Sequence, residues 1–511
     1  MKPLSIDNIN AGFSESYYMG SKGSFNCSLA VDPDYPIPGQ TKSSGAIMPI
    51  GYSKFSGAGL TGYPKWILTN PKNNKTYVYS TTNFLSYDSA LAVETVLSTP
   101  TSGAGNGAVY YNDYIYLATP TDISRYGSLA GTPSLTNNVW TGATLGTKTA
   151  LANTTYPSLS GTPIPNHPMF AHADGSVYVG DVVGGQGVLH RIVTDSAGVN
   201  DGSAYNVVDL SVYGYYPTCI CNIGKDLVIG CIQTSSDTTI SQGEAALLVW
   251  ETTNVNTFYE IVYLGDPLVT AIKNINGSVY VWSGSATGGY RVRKYLGGQY
   301  FQDVCAIEDG APPFQGAVDS ARGKIYWGSN TTYPKDTASV FSYGSTGKIS
   351  MGLHNVAIST ATGANKRVTA LKVVEQNGGL VMGVGSDTEK QLEKYSATAP
   401  LGSVFRTMVF PVNRKFEVKK IRLSLGAGVT ADSTIVTKVF VDDGSDSETL
   451  DDGSASETLK EINATNYANN ERIIELSSTK IGNNNFFIEF TWSGTAPLPI
   501  LLPIQVEFNI R

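Results

Sequence analysis

Two nine-residue stretches in tandem, Asp442-Asp443-Gly444-Ser445-Asp446-Ser447-Glu448-Thr449-Leu450 and Asp451-Asp452-Gly453-Ser454-Ala455-Ser456-Glu457-Thr458-Leu459, set acidic oxygens at close spacing. Hard oxygen donors of this kind suit Ca2+, and Asp442, Asp443, Asp446 and Asp451 are the candidate ligands. The glycine and the closing glutamate are out of EF-hand register, so the competing reading is a solvated acidic hairpin extension. Cys219 and Cys221 are two apart in a run that reads as a strand and so share a face, with Cys231 one hairpin arm later. No fourth soft ligand is evident beside these thiols, which favours core packing over a metal site. The histidines are His167, His172, His190 and His354. His167 and His172 are close in sequence but lack a third ligand at metal spacing, and His172 fits the end of a hairpin strand. No metal beyond the Ca2+ candidate, no cofactor and no catalytic residue is expected.

Arg414, Lys415, Lys419, Lys420 and Arg422 cluster at one strand. They form a candidate interaction surface for nucleic acid or an acidic partner, against the ordinary meaning of a solvated strand face. The signatures of enzymes built on β-rich or nucleotide-binding folds are missing. There is no Gly-x-Ser-x-Gly elbow, no Walker loop, no Ser-x-Asp-x-Gly-x-x-Trp turn of the sialidase kind and no Gly-His…Trp-Asp pattern. Lys324-Ile325-Tyr326-Trp327-Gly328 echoes the Tyr-Trp-Thr-Asp type of propeller once only.

The elements that must carry these residues are strands. A short apolar strand, a tight turn rich in Gly, Asn or Asp and a returning apolar strand recur seven times, roughly every 40–60 residues. The copies turn near Asn73-Asn74, Asn112-Asp113, Asp174-Gly175, Gly224-Lys225, Asn276-Gly277, Arg322-Gly323 and Asn377-Gly378. Such turns tolerate the positive φ of two-residue hairpins. A third strand with a bulky end often follows, as in Ile123–Tyr126, Leu247–Trp250 and Leu392–Tyr395. Three or four antiparallel strands per repeat, arranged radially, make a β-propeller. The count is about seven blades, with six or eight open because the spacing is uneven. A solenoid would repeat at a shorter period, roughly 20–30 residues.

After Ala399-Pro400-Leu401-Gly402 the texture changes to longer alternating strands, among them Val404–Phe410, Phe416–Leu425, Thr434–Val441, Phe486–Phe490 and Pro503–Ile510. Period-two alternation buries one face of a sheet, and six such strands in roughly 110 residues make a sandwich. The expected organisation is an all-β chain: an N-terminal arm and ring-closing segment over 1–50, a β-propeller over 51–398 and a C-terminal β-sandwich over 399–511. Only 15% of the residues are charged and the net charge is −7, which argues against nucleic-acid binding by the whole surface. The N-terminus shows no secretory apolar region, and no run approaches the roughly 20 apolar residues of a spanning helix. Synthesis in a cytoplasm without a membrane partner is expected, and five cysteines in such a chain make no disulfide framework.

Ile6-Asp7-Asn8-Ile9-Asn10-Ala11-Gly12-Phe13, Gly20-Ser21-Lys22-Gly23-Ser24-Phe25, Leu29-Ala30-Val31-Asp32, Pro38-Gly39 and Ser44-Gly45-Ala46-Ile47-Met48-Pro49 together resemble the leader of bacteriophage tail and virion proteins. The closing sandwich, with Val418-Lys419-Lys420-Ile421-Arg422-Leu423 and the strand 503–511, is similar to the end of phage nozzle-type propellers. These motifs are diffuse, and the arms and propeller together cover nearly the whole chain. The resemblance implies a non-enzymatic, homo-oligomeric ring in a virion tail, of nozzle or hub type, made in the host cytoplasm. Its implied partners are the portal, adaptor and other tail proteins, with passive contact with passing DNA. The alternative is a receptor- or carbohydrate-binding virion propeller, for which Trp66, Trp140 and Trp492 are the stacking candidates. A propeller glycosidase or lyase would need paired carboxylates at the propeller's centre.

Overall fold

The computed structural model describes every residue except 1, 7–11, 14–23, 30, 36–45, 71, 101–104, 121, 138, 140–166, 184–185, 196–197, 200–203, 211–213, 234–243, 253–259, 286–287, 308–309, 311, 322, 330–337, 345–351, 375–378, 397–402, 408, 443–455 and 497. The hairpins form where turn chemistry permits them. Asn112 and Asp113 both adopt positive φ (48° and 71°), as do Asn276 and Gly277 (51° and 82°), the backbone that matches the right-handed twist of paired strands.

The hairpins assemble into seven sheets of a propeller. Blade 1 comprises Pro64–Thr69, Thr76–Ser80, Phe84–Tyr87 and Glu94–Leu97; blade 2, Gly107–Tyr111, Tyr114–Ala118, Ile123–Gly127 and Ser134–Thr136. Blade 3 comprises Met169–Ala171, Ser176–Val183, Gln186–Asp195 and Ala204–Asp209, with a short addition at Gly198–Val199; blade 4, Tyr215–Ile223, Asp226–Gln233, Ala245–Trp250 and Glu260–Tyr263. Blade 5 comprises Leu268–Ile275, Ser278–Gly284, Tyr290–Gly297 and Tyr300–Ile307; blade 6, Val318–Ala321, Lys324–Ser329, Ser339–Gly344 and Gly352–Ile358. Blade 7 takes three strands from one end of the repeat, Arg367–Val374, Gly379–Gly385 and Lys390–Tyr395, and its outermost strand, Tyr52–Lys54, from the other. The first strand of each blade is innermost: these seven strands touch in a closed circle, with blade 7 returning to blade 1. Pairing Tyr395 with Tyr52 and Glu393 with Lys54 covers the edge that blade 7 would otherwise leave open.

Neighbouring blades nest through glycines. An added Cβ on Gly180, Gly230, Gly328 or Gly383 would lie within van der Waals overlap of a side chain, and Pro217, Val269, Val368 and Pro64 respectively are the next blade's side chains at those points. Aromatic and aliphatic side chains fill the remaining space, for example Trp282 against Trp327 between blades 5 and 6.

The sandwich is built from both ends of the described chain. One sheet runs Val31–Tyr35, Ala46–Pro49, Ile500–Ile510, Phe416–Leu425, Ile473–Ser477, with Lys2–Ile6 also on Ile500–Ile510 and Ile481–Gly482 also on Phe416–Leu425. The other runs Gly12–Phe13, Ser24–Leu29, Val404–Thr407, Asn485–Gly494, Ser433–Val441, Ser456–Thr458, with Phe410–Pro411 also on Asn485–Gly494. Phe416, Val418, Ile421 and Leu423 from the first sheet meet Ile435, Val439, Phe486, Ile488 and Trp492 from the second in one core. The expected arm over 1–50 is therefore corrected: its strands belong to both sandwich sheets, and the propeller is inserted between them. The ring-closing strand is Tyr52–Lys54, just beyond that segment. The reason is physical: strands such as Lys2–Ile6 pair with residues 504–508, and a partner that far away in sequence leaves no local alternation to read.

Candidate functional site

The propeller's axis, where a catalytic pair would have to sit, is occupied. A 3-10 turn, Gln315–Ala317, precedes blade 6's inner strand and packs against the inner strands of blades 1, 5 and 7. Gln315 Oε1 accepts from Ile272 N (3.1 Å), while its Nε2 donates to Ile272 O (3.0 Å) and reaches Ile220 O of blade 4 (3.5 Å). A segment of blade 6 that touches blades 1 and 4, neither adjacent to it, crosses the axis. Gly316 permits the crossing, because an added Cβ would meet Lys65 O of blade 1 at 2.1 Å.

Further along the axis Asp319 joins three blades. Lys273 of blade 5 donates to its Oδ1 at 3.1 Å, Lys372 of blade 7 approaches Oδ2 at 3.0 Å, and Val373 N donates to Oδ2 at 2.9 Å. Burial alone would push the Asp319 carboxyl up; the two ammonium groups and the amide more than offset it, so the group ionises below its ordinary value. Around the same ring the inner strands slip register at Lys65, Thr218, Thr270 and Thr369. Thr218 Oγ1 lies 2.6 Å from Val269 O of blade 5, and Thr270 Oγ1 lies 2.5 Å from Pro313 O, just ahead of blade 6. Bulge and hydroxyl together tie one blade to the next.

Blade 3 holds a buried polar group that sequence spacing did not bring together. Asp181 stands between His190 Nε2 (3.1 Å) and His167 Nδ1 (3.5 Å), all three buried, and its Oδ1 also accepts from Val182 N (2.8 Å). His167 thus pairs through Asp181 with His190 and not with His172, whose Nδ1 lies 3.1 Å from Asp174. The strand pairing of Val179 with His190 sets the geometry, a signal available only once the hairpin register is known. His354 lies on the outer strand of blade 6.

The other predicted residues fall as follows. Cys219, Cys221 and Cys231 are all buried in apolar clusters, and burial pushes the Cys219 thiol up to about 12 and raises the other two as well. Asp442 is buried, and its carboxylate accepts from the backbone N–H groups of Asn483 (2.7 Å), Asn484 (2.7 Å) and Asn485 (3.3 Å), fastening a turn. Asp443, Asp446 and Asp451 lie outside the described residues. The basic cluster is dispersed by the sheet. Lys420 meets Glu475 (2.9 Å), Lys419 turns to Glu417, and Arg422 sits across from Glu475 in register, with Glu507 opposite Lys420. Arg414 and Lys415 are exposed ahead of the strand. The result is a face of interleaved sign.

Trp66 and Trp492 are buried, with Nε1 donating to Gly105 O (3.1 Å) and Leu498 O (2.9 Å), so neither offers a stacking face. Trp140 lies outside the described residues. An exposed aromatic surface lies on the rim of blades 4 and 5, where Tyr263, Leu296 and Tyr300 are 54%, 57% and 75% exposed. Gln299 joins the two blades there: its Oε1 accepts from Tyr263 N (3.2 Å) and its Nε2 donates to Ile261 O (2.7 Å), capping blade 4's edge strand. Nearby, a cavity of about 460 Å3 is lined by Asp266, Ser285, Arg291, Asp303 and Cys305. Within it Arg291 is paired with Asp266 at 3.0 Å. Val93 and Val96 form a second exposed apolar spot on the rim of blade 1.

No family model matches the chain, and no curated protein matches it. Similar solved structures include a chain of the mitotic checkpoint complex, 12% identical with a TM-score of 0.41 over 71% of this chain and 95% of that one. The Neurospora crassa Pan2 WD40 domain is 7% identical with a TM-score of 0.41 over 67% and 95%. The extracellular domain of a one-component system from B. thetaiotaomicron is 10% identical with a TM-score of 0.43 over 92% and 64%. At these scores the propeller assignment stands on the strand pairing itself.

Proposed function

We propose that this chain is a non-enzymatic structural component of a bacteriophage virion, a ring-forming tail protein of nozzle or hub type that contacts portal, adaptor and other tail proteins. The observation that carries the reading is how the axis is used. Asp319 and Gln315 there are committed to joining blades, Asp319 bound by Lys273 and Lys372 and Gln315 by the backbone of blades 4 and 5. Such a construction favours rigidity over turnover. The virion assignment itself rests on the sequence resemblance. Because Gln315–Ala317 crosses the axis, a DNA passage would run between copies of the chain and not through a propeller. The rim supplies surfaces for such copies: exposed apolar spots on blade 1 and on blades 4–5 are two different faces, the kind of pair that head-to-tail association uses. Light scattering of the purified protein and imaging of assembled particles test the reading. A closed ring or a fixed stoichiometry in the tail supports it; a persistent monomer absent from particles overturns it.

A second reading, a glycan-binding virion propeller, is favoured by one observation. Tyr263 and Tyr300 present exposed rings beside the Gln299 amide, a combination able to stack on and hydrogen-bond a sugar. Binding to a glycan array that is lost in Tyr300→Ser would support it.

A further inference from the structure

The cavity beside blade 5 holds polar groups that the ring does not use. Asp266, just ahead of the blade's inner strand, is buried and has three side-chain partners. Ser283 Oγ and Arg293 donate to its Oδ2 at 2.8 and 2.7 Å, and Arg291 donates to its Oδ1 at 3.0 Å. The two arginines differ in burial: the Arg293 side chain is 8% exposed and that of Arg291 51%. Asp266 therefore fixes one edge of the Arg291 guanidinium and leaves its Nε and Nη1 without a partner among the described residues. Strand pairing sets Asp303 opposite Arg293, two residues from Arg291, so all three project from one face of the outer hairpin. The Asp303 carboxylate is exposed and accepts no hydrogen bond from the described residues. Arg291, Asp303 and Ser285 line the cavity, which is open to solvent; its volume of about 460 Å3 lies in the usual range of small-molecule sites, roughly 300–1,000 Å3. One wall is braced by its own backbone, Ser285 N donating to Gly289 O (3.0 Å) and Gly289 N to Gly310 O (3.1 Å). Ser285 Oγ accepts from Gly288 N (2.6 Å) and keeps its own proton to donate.

We propose that this cavity binds a small neutral saccharide, with Arg291 and Ser285 donating to its hydroxyl oxygens and Asp303 accepting from its hydroxyl protons. The formal charges at the site cancel, Arg291 and Arg293 against Asp266 and Asp303, so a ligand with net charge gains nothing there. Unspent donors and an unspent acceptor on one face suit neighbouring hydroxyls, each of which both gives and takes a hydrogen bond. Pro267, Val304 and Ala306 in the lining offer apolar contact to the C–H face of a sugar ring. Because Asp266 already holds the guanidinium, less side-chain freedom is lost on binding. The proposal shares its ligand class with the glycan-binding reading above and rests on that reading to this extent, but it places the sugar on different residues.

The test probes an array of immobilised neutral oligosaccharides with the full-length protein, then titrates the strongest binder in free form by calorimetry. Wild type is expected to bind, and Asp303→Ala to weaken binding about ten- to a hundredfold, the usual worth of a hydrogen bond to a charged group. Its melting temperature should stay within a few degrees of wild type, because the exposed carboxylate has no hydrogen bond to lose. Arg291→Lys keeps the charge and removes the planar fork, and should weaken binding at least tenfold. Tyr300→Ser should leave the affinity unchanged. Binding lost in Tyr300→Ser but kept in Asp303→Ala would overturn this site and leave the tyrosine surface as the glycan site. An array without a bound saccharide overturns both readings. Displacement of the sugar by free glycine, whose carboxylate and ammonium also match Arg291 and Asp303, would overturn the neutral ligand class.

Discussion

Gly383, in the second strand of blade 7, lies directly against Pro64, in the inner strand of blade 1: a Cβ at Gly383 would stand 2.7 Å from Pro64 Cγ. This contact is the seam of the ring, since the two blades come from opposite ends of the propeller segment. Gly383→Ala forces the seam apart and is expected to destabilise by about 1–3 kcal/mol, the usual cost of overpacking. Gly131, with nothing within 4 Å of its added Cβ, is the control; there alanine should be neutral or stabilise by about 0.5 kcal/mol. Denaturant midpoints of the two variants decide the matter. If Gly383→Ala is as silent as Gly131→Ala, the seam is not packed as described.

Asp319 offers a test of the axis. In Asp319→Asn the Lys273 and Lys372 ammonium groups lose their shared counter-charge. Both lysines are partly exposed, so the loss is expected at about 2–3 kcal/mol, below the full penalty of a broken buried pair. The sign of the pH dependence follows from the depressed carboxyl. Stability from this group is fully present above the ordinary aspartate value and drains away as pH falls through the lower native one. The gap between wild type and Asp319→Asn should therefore stay flat from pH 7 to about 4 and narrow below that. A gap independent of pH down to 2 would show that Asp319 is not charge-paired.

How much of this was legible without coordinates depended on whether the partner was near in sequence. Asn112-Asp113 and Asn276-Gly277 announced their hairpins because the turn and both arms lie within about 12 and 17 residues respectively. Seven such units pointed to about seven blades, with six or eight left open, and the strand pairing has seven. Lys2–Ile6 and Tyr52–Lys54 gave no sign of their roles, because their partners, at 504–508 and 393–395, lie hundreds of residues away. The same holds for the site. His167 and His172 are close in sequence, yet Asp181 is what His167 meets, with His190 on that carboxylate's other oxygen. Gln315 had no motif at all, and only the ring geometry gives it a role. The basic cluster was real as a list of residues but not as a surface, since Glu475 and Glu507 arrive from neighbouring strands.

The rim can be perturbed without touching the core. Tyr263→Ser combined with Tyr300→Ser removes two exposed rings and leaves the Gln299 backbone cap intact. Folding stability should stay within about 0.5 kcal/mol of wild type, as for ordinary surface changes. Self-association, read as mass by light scattering over a concentration series, should weaken by at least an order of magnitude. Unchanged association with unchanged folding would move the subunit contact off blades 4 and 5.

Lys65, at the bulge of blade 1's inner strand, should leave a signature in stability. Its native value near 8 is below the ordinary 10.5, so the unfolded chain holds the proton more tightly than the folded one. Between about pH 8 and 10.5 the unfolded state therefore carries more protons, and stability attributable to this group rises with pH. Below pH 8 the charged amine costs the fold up to about 3 kcal/mol, the full difference between the two values. Threonine is the natural comparison, being the residue in three matching slots, where its hydroxyl finds a carbonyl. Lys65→Thr is expected to be more stable than wild type at pH 7, with an advantage that shrinks steadily as pH climbs from 8 towards 10.5. Taking the difference between the two proteins cancels the tyrosines, such as Tyr215 and Tyr280, whose burial raises them and erodes stability above pH 10 in both. Denaturant midpoints from pH 6 to 10 measure that difference, and a constant offset across the range would mean that the amine is solvated in the folded protein.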